Sequence, residues 1–403
     1  MPTLPALWDR HTHVSLYAAL QGSPTLADCP DVAAALVRLR ALPGDHVSTV
    51  LGWHSGRLPL AEKDLAGLPP LILVNLSLHG VRLTPAAKEL LRDEWPSFVA
   101  HHADPDWCER HLPELLPLYA RFAGLTAAKL DAFLVDLEHL GVGAAEDMLL
   151  VDEGAWRLLR QSRWGDRIPC WCTPALALAL SPAAMADLAG LKFFTDGALG
   201  TRTAALSEPY LDAPAVSPLW PDDVLAQGLA QAAAWGKAVA IHAIGDVALD
   251  QALRVLEVAS SAGLRWPGVR LEHVQFIDLP QAARAKRLGA TLSMQPNFTS
   301  DSVDYADRLA PRWLERNNPF RLLIDQGGFV PGRDLIFGSD GMPHGLAYAA
   351  TWSLEPPYPT QRLTLEELVA GYGAAPGGPL QVEAGAAGVS VSNFTLGTHG
   401  VPR

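Results

Sequence analysis

Two histidines near the start of the chain have the type and spacing of metal ligands. His11 and His13 lie two residues apart in the extended segment ALWDRHTHV. Successive side chains of a strand alternate between its faces, so both imidazoles would point to the same side and could share one cation. The same pair could also be ordinary surface or core histidines. The motif therefore calls for further ligands elsewhere in the chain.

Four more polar residues lie within or at the end of short apolar segments. They are Lys192 in LKFFTDG, His242 in AVAIH, His273 in VRLEH and Asp340 in LIFGSD. An unpaired ammonium among buried residues is costly, so Lys192 either reaches the rim of the sheet, pairs with Asp196 or is chemically altered. Nitrogen and oxygen ligands suit Zn²⁺ and, less strongly, Fe²⁺, Mn²⁺ or Co²⁺. The residue types predict a metal centre.

The segments that carry these residues alternate with helical segments from about residue 126 onward. Such alternation is typical of a parallel sheet with crossover helices. Seven predicted strands follow one another in this region, and ALWDRHTHV would supply an eighth. We therefore predict an α/β fold, specifically a (β/α)8 TIM barrel, in which the C-terminal ends of the strands bring all six candidate ligands to one site.

The alternation also predicts how the chain is divided. Residues 1–45 would form the first βα unit of the barrel, and residues 126–375 the remaining units. Residues 46–125 break the pattern, so we predict an insertion after the first βα unit that folds over the barrel mouth. Residues 376–403 are rich in Gly, Ala and small polar residues and predict a strand-rich or poorly ordered tail.

Composition narrows the range of partners. The chain has 403 residues, 49% of them hydrophobic, which is enough for a substantial core. Its net charge of -12 disfavours binding to the phosphate backbone of nucleic acids. Its beginning lacks a basic start followed by an apolar run, and no long uninterrupted apolar stretch occurs. We expect a cytoplasmic protein with a small-molecule substrate and no nucleic-acid or membrane partner.

Several motifs resemble those of one protein family. They are DRHTH, VLGWHSG, KFFTDGALGTRTAALSEPY, IHAIGDVALDQAL, RLEHVQ, SMQPNFTSD and FGSD. The order H-x-H, Lys, His, His, Asp resembles the amidohydrolase superfamily, and the longer phrases resemble its YtcJ-like branch, amidohydrolase family 3. The resemblance covers about residues 8–375. The insertion, with its Gly-Trp and a later histidine, is also similar to that branch.

The resemblance implies a binuclear or mononuclear metal centre with assigned ligands. His11, His13 and Asp340 would hold one ion, His242 and His273 the other, and Lys192, carboxylated by CO₂, would bridge both. Asp340 would also be the catalytic residue, taking a proton from the attacking water and passing it to the leaving group. Further residues would contact the substrate or support the ligands: Trp53, His79, Asp196, Arg202, Asp246, Glu272, Gln275 and Gln295. Phe298, Met342 and His344 would line the pocket.

This centre predicts hydrolysis of a carbon–nitrogen bond other than a peptide bond, in an N-substituted amide, formamide or cyclic amide. Two alternatives stay open. The same centre could act on an ester or lactone or deaminate a ring, or the barrel could bind a metal or small molecule without turnover.

Two departures from the family concern the ends of the chain. Family members usually have about fifty residues before the H-x-H motif, which form a small β-sandwich with the C-terminal segment. Here the segment before His11 is short, and AAGVSVSNF stands where the family tends to have Ala-Asp before an apolar strand. We therefore expect a reduced or absent sandwich, of which residues 376–403 are at most a remnant. Apolar surface left uncovered would favour a homo-oligomer.

Overall fold

A computed structural model of the chain describes residues 3–54, 56–75, 78–385 and 388–393. The strands follow one another along the chain as β1 (Thr3–Thr12), β2 (Ser48–Trp53), β3 (Leu71–Asn75), β4 (Val81–Leu83), β5 (Val142–Asp147), β6 (Trp171–Cys172), β7 (Gly190–Phe194), β8 (Ala238–Ala243), β9 (Val269–His273), β10 (Thr291–Met294), β11 (Leu335–Phe337), β12 (Ala374–Gly385) and β13 (Gly388–Asn393).

Helices separate most of these strands. They are α1 (Val14–Leu20), α2 (Val32–Arg40), α3 (Glu62–Leu65), α4 (Pro85–Leu91), α5 (Pro96–His101), α6 (Pro105–Arg110), α7 (Leu112–Ala123), α8 (Ala127–His139), α9 (Glu153–Gln161), α10 (Pro174–Ala179), α11 (Pro182–Asp187), α12 (Asp222–Ala234), α13 (Asp246–Ser261), α14 (Leu279–Arg287), α15 (Asp301–Asp304), α16 (Pro311–Arg316), α17 (Leu346–Leu354) and α18 (Leu365–Tyr372). In the part of the chain that the structure describes, none of them has both the length and the apolar character needed to cross a bilayer.

The chain divides into two compact units, residues 1–14 with 131–403 and residues 15–130. The larger unit contains a six-stranded sheet in the order β11-β10-β9-β8-β7-β6, in which every neighbouring pair is parallel. A four-stranded sheet has the order β13-β12-β1-β5, with β1 and β5 parallel and β12 antiparallel to both β1 and β13. The predicted α/β fold is confirmed.

Backbone hydrogen bonds join these two sheets at the end of β5 and just after β11, besides the side-chain contacts described below. At one, Asp147 at the end of β5 forms a parallel bridge with Cys170, and its N–H donates to the carbonyl of Pro169 at 2.9 Å. At the other, the N–H of Asp340 donates to the carbonyl of His11 at 2.7 Å. A Cβ added to Gly338 would lie 2.2 Å from the His11 nitrogen, so only glycine permits this approach of the segment after β11 to β1.

The parallel strands consist mostly of buried apolar residues. Leu191, Ile241, Leu271 and Leu292, one in each of four neighbouring strands, are fully buried. Strands covered on both faces are expected to read as nearly continuous apolar runs, as these do. A charged residue inside such a strand must therefore find its partner within the protein.

Helix starts in this unit have their own capping groups. The side chain of Asp278 accepts a hydrogen bond from the N–H of Gln281, whose side chain in turn accepts one from the N–H of Asp278, and Thr364 forms the same reciprocal arrangement with Glu367. The cap at Asp278 ends the loop that follows β9, so the backbone after His273 is anchored at the start of α14.

The C-terminal segment forms a hairpin of β12 and β13, with Leu380 opposite Asn393 and Gly385 opposite Gly388. Residues 376–385 and 388–393 of the predicted tail lie in these two strands. Residues 386–387 and 394–403 of the predicted tail lie outside the described residues.

The smaller unit has its own sheet, β2-β3-β4, in which β2 and β3 are parallel and β3 and β4 are antiparallel. Its core contains Leu26, Leu39, Val50 and Leu73, all fully buried. The predicted boundaries of an insertion at residues 46–125 stay a prediction.

Close packing between strands gives a first testable consequence. A Cβ added to Gly190, at the start of β7, would lie 2.5 Å from the carbonyl oxygen of Ala238 and 2.3 Å from the Trp171 ring. We expect Gly190→Ala to lower the free energy of unfolding by about 1–3 kcal/mol. Gly268→Ala is the matched control, because its Cβ would meet its nearest atom, the Cβ of Ala238, at 3.7 Å. Urea denaturation followed by circular dichroism measures both, and equal midpoints for the two variants would contradict the prediction.

Candidate metal centre

His11, His13 and Asp340 converge in the structure. One ligand atom from each residue lies within 4.8 Å of the other two. The distance from Asp340 Oδ1 is 3.0 Å to His13 Nε2 and 3.6 Å to His11 Nε2. Two imidazoles and a carboxylate match in number and type the three protein ligands of a catalytic zinc site or of a two-histidine, one-carboxylate iron site.

The orientation of the His11 ring makes it a competent ligand. Its Nδ1 is 2.6 Å from Glu272 Oε2, so the proton of a neutral imidazole resides on Nδ1 and the lone pair on Nε2. Burial, with a smaller effect from Lys192, lowers the pKa of His11 to about 4, which keeps the ring neutral at physiological pH. Its Nε2 is buried and has no hydrogen-bond partner within the described part of the chain. A cation on Nε2 would satisfy this atom, so the residues present fit a metal.

Beneath His11 the predicted contact Glu272 belongs to a network of buried charges, of which the sequence analysis did not identify Arg270 and Glu146. Arg270 Nε is 2.9 Å from Glu272 Oε1, and its Nη1 donates to Glu146 Oε2 at 2.5 Å. Nη2 of the same guanidinium donates to Ser293 Oγ at 3.0 Å. Burial by itself would raise the pKa of Glu272, but Arg270 and His11 hold it well below its usual range. Glu272 is therefore an ionised support for His11.

His242 and His273 lie at the ends of adjacent strands, β8 and β9, with ring centroids 4.5 Å apart. The His273 ring is also 4.8 Å from the His11 ring, so the two pairs of histidines adjoin. His273 Nδ1 is 2.7 Å from Gln295 Oε1, and His242 Nε2 is 3.1 Å from the carbonyl of Gly197. Each ring thus uses one nitrogen for a supporting hydrogen bond, which is the arrangement that metal-binding histidines usually have.

Lys192 is buried inside β7, with 1% of its surface exposed. Its Nζ lies 5.3 Å from the centre of the Phe194 ring. Burial lowers the pKa of its ammonium to about 8, although the charges of Glu272 and Asp340 act in the opposite direction. A larger fraction of Lys192 is therefore an uncharged, nucleophilic amine than for an exposed lysine.

The backbone is strained at two of the candidate ligands. His273 and Asp340 have φ angles of 69° and 55°, in the left-handed region that side chains other than glycine rarely adopt. Strain of this kind costs on the order of 1–3 kcal/mol per residue and is concentrated at functional sites.

Burial would raise the pKa of Asp340, but the hydrogen bond from His13 and the charge of His11 hold it well below its usual range.

Asp9 is a further residue that the sequence analysis missed. It is fully buried in β1, and its Oδ1 accepts hydrogen bonds from the N–H groups of His11 at 3.1 Å and Ser339 at 2.9 Å. Its Oδ2 is 2.5 Å from Ser339 Oγ. One carboxyl group thus links the segments that carry His11 and Asp340. The signal in the sequence was an acidic residue two positions before the first histidine, on the same face of the strand.

Asp196 lies beside this centre, whereas Arg202, Gln275 and Asp246 form hydrogen bonds or ion pairs with other residues of the protein. Asp196 Oδ1 is 3.4 Å from His242 Nε2, and its oxygens accept three backbone N–H groups, which fixes the loop after β8. Arg202 instead forms an ion pair with Asp212. Gln275 donates to Asp301 and Asn317, and Asp246 accepts from the N–H of Ser207.

The remaining predicted contacts divide between the two units. In the larger unit, Phe298 stacks on His273 with ring centroids 6.1 Å apart, and His344 Nε2 lies 2.7 Å from Thr12 Oγ1. Met342, another predicted lining residue, is 43% exposed.

In the smaller unit, Trp53 is buried and donates to the carbonyl of Leu58 at 3.1 Å. His79 Nδ1 is 2.7 Å from Glu109 Oε1. Their predicted role beside the substrate stays a prediction.

Comparison with known proteins identifies similar sequences. A sequence model of the amidohydrolase family matches residues 127–377. The putative amidohydrolase YtcJ of Bacillus subtilis is 34% identical over 149 residues, which are 36% of this chain and 28% of that protein. The protein LONG AFTER FAR-RED 3 of Arabidopsis thaliana is 37% identical over 121 residues, 29% of this chain and 21% of that protein. The matched region thus spans less than a third of either curated relative.

Solved structures share the fold. An uncharacterized metal-dependent hydrolase from Pyrococcus horikoshii superposes with a TM-score of 0.62 and 26% identity, over 84% of this chain and 71% of that chain. An uncharacterized metal-dependent hydrolase from Pyrococcus furiosus gives a TM-score of 0.66 at 22% identity, over 92% of this chain and 81% of that chain. The match to the latter concerns the fold alone.

The buried position of Asp9 predicts a pH effect on stability. Burial raises its pKa from 3.8 to about 7, although the hydrogen bonds from Ser339 and His11 oppose the shift. Between these two values the folded protein holds a proton that the unfolded chain has released, so the contribution of Asp9 to stability falls as pH rises. Asn cannot titrate. We therefore expect the free energy of unfolding of wild type to fall relative to that of Asp9→Asn as pH rises from about 4 to about 7. The difference should change by at most about 1.4 kcal/mol per pH unit, measured by urea denaturation of chelator-treated protein. A constant difference across this range would contradict the prediction.

Proposed function

This chain belongs to the amidohydrolase family, and from that membership and the geometry of the site we propose that it is a metal-dependent hydrolase. The observation that carries the proposal is the convergence of ligand atoms from His11, His13 and Asp340 within 4.8 Å, together with a buried His11 Nε2 that has no hydrogen-bond partner among the residues that the structure describes. The bond we propose for cleavage is a carbon–nitrogen bond other than a peptide bond, in an N-substituted amide, formamide or cyclic amide.

We propose further that β1 and β5–β11 close into a (β/α)8 barrel. Supporting this are the parallel pairing of β1 with β5, the bridge between Asp147 and Cys170, and the hydrogen bond from Asp340 to His11. Closure would place the C-terminal ends of all these strands around one mouth, as active sites of such barrels require.

Two adjoining cation positions follow from the histidine pairs. The residues that would hold the first ion are His11, His13 and Asp340, and those for the second are His242 and His273. A divalent cation bound there, Zn²⁺ in our proposal, would polarise the substrate carbonyl and lower the pKa of water towards neutrality. Residues of the chain supply the remaining chemistry.

Asp340 is the proposed proton carrier. In support of this role, its carboxylate is ionised over a wide pH range and lies 3.0 Å from His13 Nε2. In hydrolysis, the oxygen of water forms a bond to the carbonyl carbon while the carbon–nitrogen bond breaks. Asp340 would hold the proton removed from water and deliver it to the departing nitrogen, which would otherwise leave as an unstable anion.

Lys192 is the proposed bridging residue between the two positions. An uncharged lysine amine reacts with CO₂ to give a carbamate and a proton, which changes a cationic side chain into an anionic one. Burial favours the uncharged amine, and metal cations held by the adjoining histidine pairs would stabilise the anionic product. Carboxylation thereby explains how a lysine can lie in an apolar strand beside cation ligands.

Replacement of Asp340 tests the function. We expect protein purified with one or two equivalents of metal to hydrolyse members of a panel of N-substituted amides, formamides and cyclic amides. Asp340→Asn should lower kcat by about 10²–10⁴-fold, because the amide cannot accept the proton from water. Asp325→Asn is the control, since Asp325 is exposed and 3.4 Å from Arg321 on the surface.

Three results would contradict the proposal in different ways. Protein that contains no metal, and that stays inert after reconstitution with Zn²⁺ and bicarbonate, would exclude the metal-dependent function. Turnover of esters or lactones alone would replace the bond type. Metal or ligand binding without turnover of any substrate would indicate a binding protein.

A further inference from the structure

The candidate ligands differ in what supports them. His11 Nδ1 contacts a carboxylate, Glu272, at 2.6 Å. His273 Nδ1 contacts a neutral amide, Gln295, at 2.7 Å, and His242 Nε2 contacts the backbone carbonyl of Gly197 at 3.1 Å. An anionic acceptor withdraws the imidazole proton more strongly than a neutral one and makes the opposite nitrogen a better donor to a cation.

Arg270 keeps this carboxylate in place and ionised. Glu272 is fully buried, and both of its oxygens approach the guanidinium, at 2.9 and 3.3 Å. Arg270 is held in turn by Glu146 at 2.5 Å and by Ser293 at 3.0 Å. Glu272 therefore has little freedom to rotate away from His11, and its charge is balanced before any cation binds.

The carboxylate beside His242 is already engaged. Asp196 lies 3.4 Å from His242 Nε2, but its oxygens accept the N–H groups of Ile244, Gly245 and Ala205 at 2.8 to 3.0 Å. Its charge is distributed over these three hydrogen bonds, and the closer acceptor of His242 is the neutral carbonyl. His11 therefore has a carboxylate as its closest acceptor, whereas His242 and His273 have neutral ones.

We propose that Glu272, fixed by Arg270, is a positioning residue that makes the His11–His13–Asp340 position the tighter of two unequal cation positions. The first position also contains the carboxylate of Asp340, whereas the second consists of His242 and His273 and shares Lys192. One ion would then stay bound through purification while the second exchanges. The proposal rests on the proposed function, because it presupposes that cations bind at these residues.

The test is a Co²⁺ titration of the full-length chain after removal of metal with a chelator. Tetrahedral Co²⁺ absorbs visible light, so each binding step has its own spectroscopic signature. Wild type should bind in two steps of different affinity. Glu272→Gln keeps a hydrogen-bond acceptor but removes the charge, and should weaken the tighter step by about 10–100-fold while leaving the second within about 3-fold.

Two variants serve as comparisons. Gln295→Leu removes the acceptor of His273 and should weaken only the second step. Glu367→Gln breaks an ion pair with Arg321, 2.7 Å long, in which none of the six ligands takes part, and should leave both steps unchanged. Glu272→Gln should fold, because Arg270 retains Glu146 as its partner.

A measurement on wild type alone covers the case in which the variant does not fold. Nitrogen-15 chemical shifts of the histidines in chelator-treated protein report which ring nitrogen carries the proton. His11 should be protonated on Nδ1, and protonation on Nε2 would overturn the inference.

The titration separates failure of this inference from failure of the function. Unequal steps that Glu272→Gln leaves unaltered, or weakens together, would overturn the role of Glu272. A single step, or two equal ones, would overturn the inequality. Wild type that binds neither Co²⁺ nor Zn²⁺ would reject the metal-dependent function itself.

Discussion

The contact between Glu272 and His11 is the interaction on which the candidate site depends. An ionised carboxylate inside an apolar sheet costs several kcal/mol unless cations and hydrogen-bond donors compensate it. Arg270 and His11 provide that compensation from two directions, at 2.9 and 2.6 Å. The same contact determines which nitrogen of His11 faces Asp340. The contact between Glu272 and His11 thus compensates a buried charge and also orients the imidazole as a metal ligand would need.

Such contacts join parts of the chain that are far apart in sequence. Glu272 and His11 are separated by 261 positions, and Asp9 and Ser339 by 330. Strand β1, which carries His11 and His13, comes from the start of the chain. The hydrogen bonds of Asp9 and the close approach at Gly338 hold it beside the segment that follows β11. The first two ligands and the last therefore become neighbours only once the strands have assembled.

Much of this arrangement could be predicted from sequence because strand ends leave a strong pattern. Short apolar runs that end in His242, His273 or Asp340 indicate both a buried strand and the point at which it leaves the core. The α/β fold and the neighbourhood of these ligands follow from that pattern alone. The role of Lys192 does not, since a buried lysine could also pair with Asp196, and only the family resemblance favoured a chemical modification.

The partners of buried charges were harder to predict because they depend on register. Arg270 and Glu272 lie two residues apart in VRLEH, so they share one face of β9, a sign of a paired charge that could have been recognised. That Glu146 and Ser293 complete the network follows only from the alignment of neighbouring strands. The partner of Arg202 was equally hard to predict, since this side chain lies on a loop and forms an ion pair with Asp212.

Backbone strain is the property of the site that sequence conceals most completely. A glycine in the sequence suggests that a left-handed backbone conformation is possible, but His273 and Asp340 adopt this conformation although neither is a glycine. The fold tolerates this cost because both residues are anchored on either side, His273 by β9 and the loop that ends at the cap of α14, Asp340 by its N–H bond to His11. A chain selected for stability alone would place glycine or asparagine at these positions. A histidine and an aspartate at these positions are what the proposed chemistry requires, and their strain is the kind expected at a functional site.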